Sequence, residues 1–117
     1  MIVRPATAAD IAHYADTIPT PTVRAVVGEI DGRLVGIGGL RLLRGRWYAF
    51  VDLLPEARVH KMTIMRTAKR LLEQARHDGI RFIYAERSPV ESRAGRWLAS
   101  LGFELDQRSM HYYRWSA

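Results

Sequence analysis

Cysteine is absent from the 117 residues, which excludes a disulfide framework, a thiolate metal centre and a cysteine nucleophile, and leaves nothing that marks an oxidising compartment. Lysine is scarce: Lys61 and Lys69 are the only two among eighteen Lys and Arg, so arginine carries nearly all the positive charge. No apolar run approaches the roughly 18 residues that a membrane span needs. The opening Met-Ile-Val-Arg-Pro-Ala-Thr has no apolar leader segment, and a soluble, cytoplasmic protein is expected. The four histidines, His13, His60, His77 and His111, fall at no metal-ligand spacing, so no metal site is expected. Ser88, Ser92 and Ser100 lack the bracketing glycines of a hydrolase nucleophile turn.

What is present is ordinary globular composition, 48% hydrophobic and 26% charged, which excludes disorder as a description of the whole. The length suits one domain over residues 1–117 and is too short for two. Twelve Asp and Glu leave a formal charge of +6, which favours anionic partners: phosphates, acidic proteins, nucleic acid or lipid surfaces.

Ile2 to Arg4 alternate as a short strand, and Thr7-Ala-Ala-Asp10 fits a helix start with Thr7 as N-cap and Asp10 at the third helical position. That helix is expected over about Ala8 to Thr17, ahead of Pro19-Thr-Pro21. Val23 to Ile30 and Arg33 to Leu42 read as strands joined at Asp31-Gly32, a strong two-residue hairpin signal. Gly36-Ile-Gly-Gly39 suggests a bulge or a close backbone approach. Arg44-Gly45 makes a second turn into a third strand, Arg46 to Leu54. Pro55-Glu56 suits the first turn of a long helix whose apolar face runs through Met62, Met65, Ala68, Leu72 and Ala75, with the two methionines expected in the core. Gly79 should close it in the left-handed conformation, before a strand from Ile80 to Ala85 that lies parallel to its predecessor. Ser88-Pro-Val-Glu91 reads as a capping box for a helix from about Pro89 to Ser100. One or two closing strands follow between Phe103 and Trp115, around Gln107-Arg108-Ser109.

This order resembles the GNAT N-acetyltransferase family over nearly the whole chain. The resemblance is carried by Arg4-Pro-Ala-Thr-Ala-Ala-Asp10, like the family's opening strand and helix cap, by Gly28-Glu-Ile-Asp-Gly-Arg-Leu-Val-Gly36, like its central hairpin, and by Arg96-Trp-Leu-Ala-Ser-Leu-Gly-Phe103, like its closing Leu-Gly-Phe segment. It implies an α/β (α+β) acyl-CoA N-acyltransferase fold, with a mixed, mostly antiparallel central sheet and flanking helices. It also implies transfer of an acetyl group from acetyl-CoA to an amine of a small molecule, peptide or protein. Acetyl-CoA would lie between the third meander strand, through Leu53 and Leu54, and the long helix. The family's pyrophosphate loop, Arg/Gln-x-x-Gly-x-Gly/Ala, places its leading basic position on Arg58 and its two glycines on Lys61 and Thr63, so neither glycine is present. Arg58, His60 and Lys61 could replace backbone amides by side-chain charge, with the Thr63 hydroxyl as a further donor.

The resemblance calls for a base to deprotonate the amine and an acid to protonate the leaving thiolate. Asp52 and Glu29 are the candidate bases. The family's usual tyrosine position falls on Leu98, leaving Tyr112 or Tyr113 on the final strand as the acid. Two other readings stand beside this one. A catalytically inactive GNAT-like binding module, as in a phage or mobile element, would account for Lys61, Thr63 and Leu98. A nucleic-acid surface could form from Arg41, Arg44, Arg46 and Trp47 with Arg66, Lys69 and Arg70. The edge Tyr112 to Trp115 could pair two copies of the chain into a homodimer.

Overall fold

The computed structural model describes residues 1–14, 23–86, 92–109 and 111–117, with the side chains of 92–94 left aside. Seven strands form one sheet in the order β1-β2-β3-β4-β5-β7-β6. Every neighbouring pair is antiparallel except β4 and β5. The strands are β1 (Ile2–Pro5), β2 (Val23–Ile30), β3 (Arg33–Leu43), β4 (Arg46–Leu53), β5 (Phe82–Glu86), β6 (Phe103–Leu105) and β7 (Tyr112–Ser116). The helices are α1 (Ala8–His13), α2 (Lys61–His77) and α3 (Ser92–Ser100).

Both hairpins of the meander turn as their sequences demand. Asp31 and Gly32 (φ 51° and 75°) and Arg44 and Gly45 (φ 51° and 79°) all take positive φ, the geometry that matches a two-residue turn to the twist of its strands. The close approach expected in the glycine run is at Gly39, where a Cβ would lie 2.0 Å from the Arg24 carbonyl oxygen. The register shift lies beside that run: Gly28 pairs with Gly36 while Glu29 pairs with Leu34, leaving Val35 as the extra residue on β3. Val35 is wholly buried, and its carbonyl accepts the Leu54 N–H at 2.8 Å.

That bond reshapes the start of the long helix. Instead of one helix from Pro55, the chain makes a 3₁₀ turn at Pro55–Ala57 and begins α2 at Lys61. The turn is fixed to β3 by the Leu54 bond, by the buried Ala57 and by the Arg33–Glu56 ion pair at 2.9 Å, so helical propensity yields to tertiary anchoring. α1 is also shorter than expected, ending at His13 with Tyr14 as its C-cap. The expected continuation to Thr17 and the Ser88–Glu91 capping box lie outside the described residues. β5 starts two residues later than expected, because Ile80 is buried against α2 and its N–H bonds the Ala75 carbonyl. Gly79 has φ 83°, as expected of the residue that closes α2.

The two sheet faces carry different layers. α2 and α3 cross over one face, where Leu40, Leu72, Ala75, Ile83, Leu98 and Trp115 form the larger core cluster. α1 packs on the other, with Val27 and Ile37 at the centre of a smaller cluster. The Thr7 cap forms as read: Asp10 N–H donates to Thr7 Oγ1, and Thr7 N–H donates to Asp10 Oδ2 at 2.7 Å.

Candidate functional site

The parallel pairing of β4 with β5 is confined to Trp47 with Ile83 and Tyr48 with Tyr84. Beyond it, β4 runs on to Leu53 along β3 while β5 ends at Glu86, so the two strands part. A cleft of about 620 Å³ occupies this parting and the space between the sheet and α2. Its walls include Ala49, Val51 and Leu53 from one face of β4 and Tyr48 and Phe50 from the other, so it passes through the sheet where the strands separate. The α2 side is apolar, with Ile64, Ala68 and Leu71. The floor crosses β2 and β3 at Gly28, Gly36 and Gly38, with Met1 Sδ and Leu53 Cδ2 lying where Gly28 and Gly36 would carry Cβ atoms.

At the N-terminus of α2 the first intrahelical bond runs from Ile64 N–H to the His60 carbonyl, so the amides of Lys61, Met62 and Thr63 precede the ladder. No side chain caps this end and its first turn holds no acid. Arg58 and Lys61 are exposed here, His60 and Thr63 half-buried. In the 3₁₀ turn, by contrast, the amides of Ala57, Arg58 and His60 bond the carbonyls of Leu54, Pro55 and Ala57. Cations at a positive dipole end are unfavourable unless an anion joins them. An uncapped 17-residue helix with two exposed cations at its start therefore fits a phosphate-bearing group by charge, without glycines.

The residues singled out for catalysis separate. Asp52 is exposed on β4, paired with Ile37 on the α1 face. Its charge and that of Asp10 add to burial in holding the Tyr14 phenol above its ordinary pKa, burial being the larger cause. Glu29 is two strands away, where its Oε1 accepts from Arg4 Nη2 at 2.7 Å and Nε at 3.0 Å. The same guanidinium donates to both Asp10 oxygens, at 2.6 and 3.2 Å. Hydrogen bonds from Arg4 and from the Thr7 amide hold the Asp10 carboxyl far below the usual carboxylate range. Glu29 thus belongs to a structural ion cluster joining β1, α1 and β2. Leu53 turns into the cleft over Gly36, whereas Leu54 is exposed.

Tyr112 sits in the cleft wall with its ring 5.9 Å from Tyr48, and Tyr84 completes a three-ring cluster at 6.0 and 6.5 Å. Tyr48 and Tyr84 are missed by sequence reasoning, because only the parallel register of β4 on β5 brings them together. Tyr113 points to the other face, with its hydroxyl against Gly95 of α3. Leu98, at the family's tyrosine position, is buried in the core. Met62, expected in the core, is 71% exposed, since the helix begins only one residue before it and overhangs the sheet.

The arginine surface divides. Trp47 lies on the α2 face beneath Arg24, 5.2 Å from its ring centroid. Arg41 and Arg46 occupy the opposite face, Arg46 5.0 Å above the Tyr84 ring. Arg66 and Arg70 line a separate recess between α2 and the β1–β2 edge, and Thr63 lines this recess rather than the cleft. One continuous strip of those residues is not formed.

No protein-family model matches the chain, and no curated protein matches it in sequence. Solved structures do. Ribosomal-protein-alanine N-acetyltransferase from Brucella melitensis superposes with a TM-score of 0.71 at 18% identity, covering 100% of both chains. An acetyltransferase of the GNAT family from Desulfovibrio desulfuricans gives 0.65 at 15% identity, covering 98% of each. The chain has the GNAT fold. N-acetylglutamate synthase from Neisseria gonorrhoeae, solved with coenzyme A and N-acetyl-glutamate, matches at TM-score 0.65 and 18% identity over 98% of this chain and 34% of that one. Among the described residues no helix is long and apolar enough to cross a membrane, and no group of acids and histidines is placed to hold a metal.

Proposed function

We propose that the protein binds acetyl-CoA between β4 and α2 and transfers its acetyl group to an amine. The observation that carries this reading is the parting of β4 from β5, which opens a through-sheet cleft bounded on α2 from Ile64 onward, one turn below an uncapped helix N-terminus that carries Arg58 and Lys61 outside the cleft lining. Acetyl-CoA supplies the activated acyl group when bound. Arg58, Lys61 and the first amides of α2 hold its phosphates, Thr63 adds a hydroxyl, His60 flanks the group, and Leu53 and Leu54 border its path along β4.

The acceptor amine enters from the tyrosine-lined face. An ammonium has no lone pair, so it must lose a proton first, and Asp52 on the exposed end of β4 is the base that accepts it. The amine nitrogen bonds to the acyl carbon as the carbon–sulfur bond breaks, and the second proton that this nitrogen must lose to become an amide leaves to solvent. Tyr112, in the cleft wall, gives its proton to the departing sulfur and is reprotonated from solvent. Glu29 takes no part, being engaged by Arg4.

The test is a thermal melt with and without 1 mM acetyl-CoA, followed by release of free CoA thiol in the presence of amines. Protection, lost in Lys61→Glu, supports the reading. No protection and no thiol release with any amine refutes it and leaves the inactive binding module.

A further inference from the structure

Three charged residues line the cleft, Arg41, Arg44 and Glu86, and two of them, Arg41 and Glu86, flank its tyrosines with opposite charge. Arg41 lines it from β3 and Glu86 from β5. Neither forms an ion pair among the described residues. Arg41 is half-buried, and its Nε is shielded from solvent with no acceptor. A guanidinium drawn partly out of water without a countercharge is costly, and such groups call for an explanation. Since Nε is covered, it is the outer edge of the guanidinium that an anion in the cleft would meet.

The strand registers give the spacing. Arg41 pairs with Tyr48 and Tyr48 with Tyr84, so these three stand in one row across β3, β4 and β5. Glu86 is two residues beyond Tyr84 and pairs with Tyr112. In a regular sheet two strand intervals across and two residues along would separate the Cα atoms of Arg41 and Glu86 by about 12 Å, and the parting of β4 from β5 beyond Tyr84 sets Glu86 farther off. Two long side chains reaching inward across that gap leave room for a ligand whose own charges lie a few ångströms apart. Between them the rings of Tyr48 and Tyr112 offer apolar faces with polar ends, backed by Tyr84, over whose ring Arg46 lies.

We propose that the acceptor is a small zwitterion, an amine that also carries a carboxylate, with the ammonium toward Glu86, the carboxylate on Arg41 and the apolar body across the tyrosines. Amino acids and the ends of short peptides have this chemistry. The assignment rests on the acetyl-transfer reading above for the fate of the amine, but the subsite itself does not need acetyl-CoA.

Two measurements test it. Acetylation of phenylalanine is compared with that of phenethylamine, and of leucine with isoamylamine, each pair differing only in the carboxylate. A preference of at least tenfold in kcat/KM for the carboxylated member is expected, abolished in Arg41→Met, with rates on the decarboxylated amines within twofold of the parent. Equal rates within each pair, or a preference that survives Arg41→Met, overturns it. Separately, 10 mM phenylalanine without acetyl-CoA should raise the melting temperature of the parent but not of Arg41→Met. If phenylalanine protects in this way while acetyl-CoA does not, the subsite stands and the acetyl-transfer reading falls. If acetyl-CoA protects while neither amino acid binds or reacts, the zwitterion subsite is refuted and the transfer reading stands.

Discussion

Two adjacent glycines of β3 should respond oppositely to the same added methyl group. At Gly38, which lies in the floor of the cleft, a Cβ would meet nothing closer than the Phe50 carbonyl oxygen at 3.6 Å and Val51 Cγ2 at 3.7 Å, ordinary van der Waals contact. Its φ is not positive, so alanine fits without strain, and the smaller entropy of the unfolded chain should stabilise Gly38→Ala by about 0.4–1 kcal/mol. With an unfolding entropy of roughly 0.25 kcal/mol per kelvin for a chain of this size, that is a rise of about 2–4 °C in Tm. At Gly39 the Cβ would lie 2.0 Å from the Arg24 oxygen and 2.8 Å from the Ala25 Cα, both backbone atoms that move only if β2 leaves β3. Gly39→Ala should cost about 3 kcal/mol or more, a fall of at least about 12 °C. Circular dichroism melts at neutral pH read both. A destabilised Gly38→Ala, or a Gly39→Ala that melts with the parent, would refute the placement of β3. Gly38→Leu then joins fold to function: it should fold, yet lose acetyl-CoA protection because its side chain fills the cleft.

Lys61→Glu should weaken acetyl-CoA binding by at least tenfold in a calorimetric titration, and parental affinity in that variant would remove the phosphate role from α2. The same affinity should drop more than tenfold between 50 mM and 1 M NaCl, as exposed cations are screened over about 3 Å at the higher salt; a flat salt series would point to amide-held phosphates instead. Asp52→Asn and Tyr112→Phe should each lower kcat by about 10²–10⁴-fold with KM for acetyl-CoA unchanged, whereas Glu29→Gln should leave kcat intact and lower Tm. Because Arg4 holds the Asp10 carboxyl below its unfolded value, the unfolded chain takes up that proton first as pH falls. The stability it contributes is complete above about pH 4 and is lost progressively below. Asp10→Asn should therefore melt lower than the parent at pH 7 but lose less on acidification, and parallel pH profiles would deny the Arg4–Asp10 linkage.

Local chemistry explains which parts of this structure the sequence makes legible. Asp31-Gly32, the Thr7–Asp10 cap and the closing Gly79 each act within four residues, so their conformations are written in adjacent letters. The start of α2 is not, since what breaks the helix is a carbonyl on β3, freed by an extra residue nineteen positions before the amide it receives. Glu29 shows the same limit: beside a hairpin it reads as a free carboxylate, and only the β1–β2 pairing brings Arg4 to it. The basic surface misleads for a third reason. Arg46 and Trp47 are neighbours in the chain but face opposite layers, because the strand period is two. The tyrosine cluster depends on the offset of two parallel strands separated by a 17-residue helix, a register no local signal sets.

If acetyl-CoA binds as proposed, the missing glycines and the displaced helix start belong to one device. A glycine loop grips phosphate with successive unpaired amides, and needs residues without Cβ so that the anion can come close. Here the amides of Ala57, Arg58 and His60 are spent inside the chain on Leu54, Pro55 and Ala57, so glycine at those positions would free no donor. The donors that remain are the three amides at the head of α2, and they become available because the 3₁₀ turn stops the helix from beginning at Pro55. On that reading the free amides of Lys61, Met62 and Thr63, the positions of the family's Gly-x-Gly, still face the anion, the Cβ atoms at 61 and 63 hold it farther off, and exposed Arg58 and Lys61 add side-chain charge in compensation. Glycine at Lys61 and Thr63 would therefore let an anion come closer to those amides but remove one cation and weaken the first turn of α2, while the inward amides of the 3₁₀ turn stayed where they are.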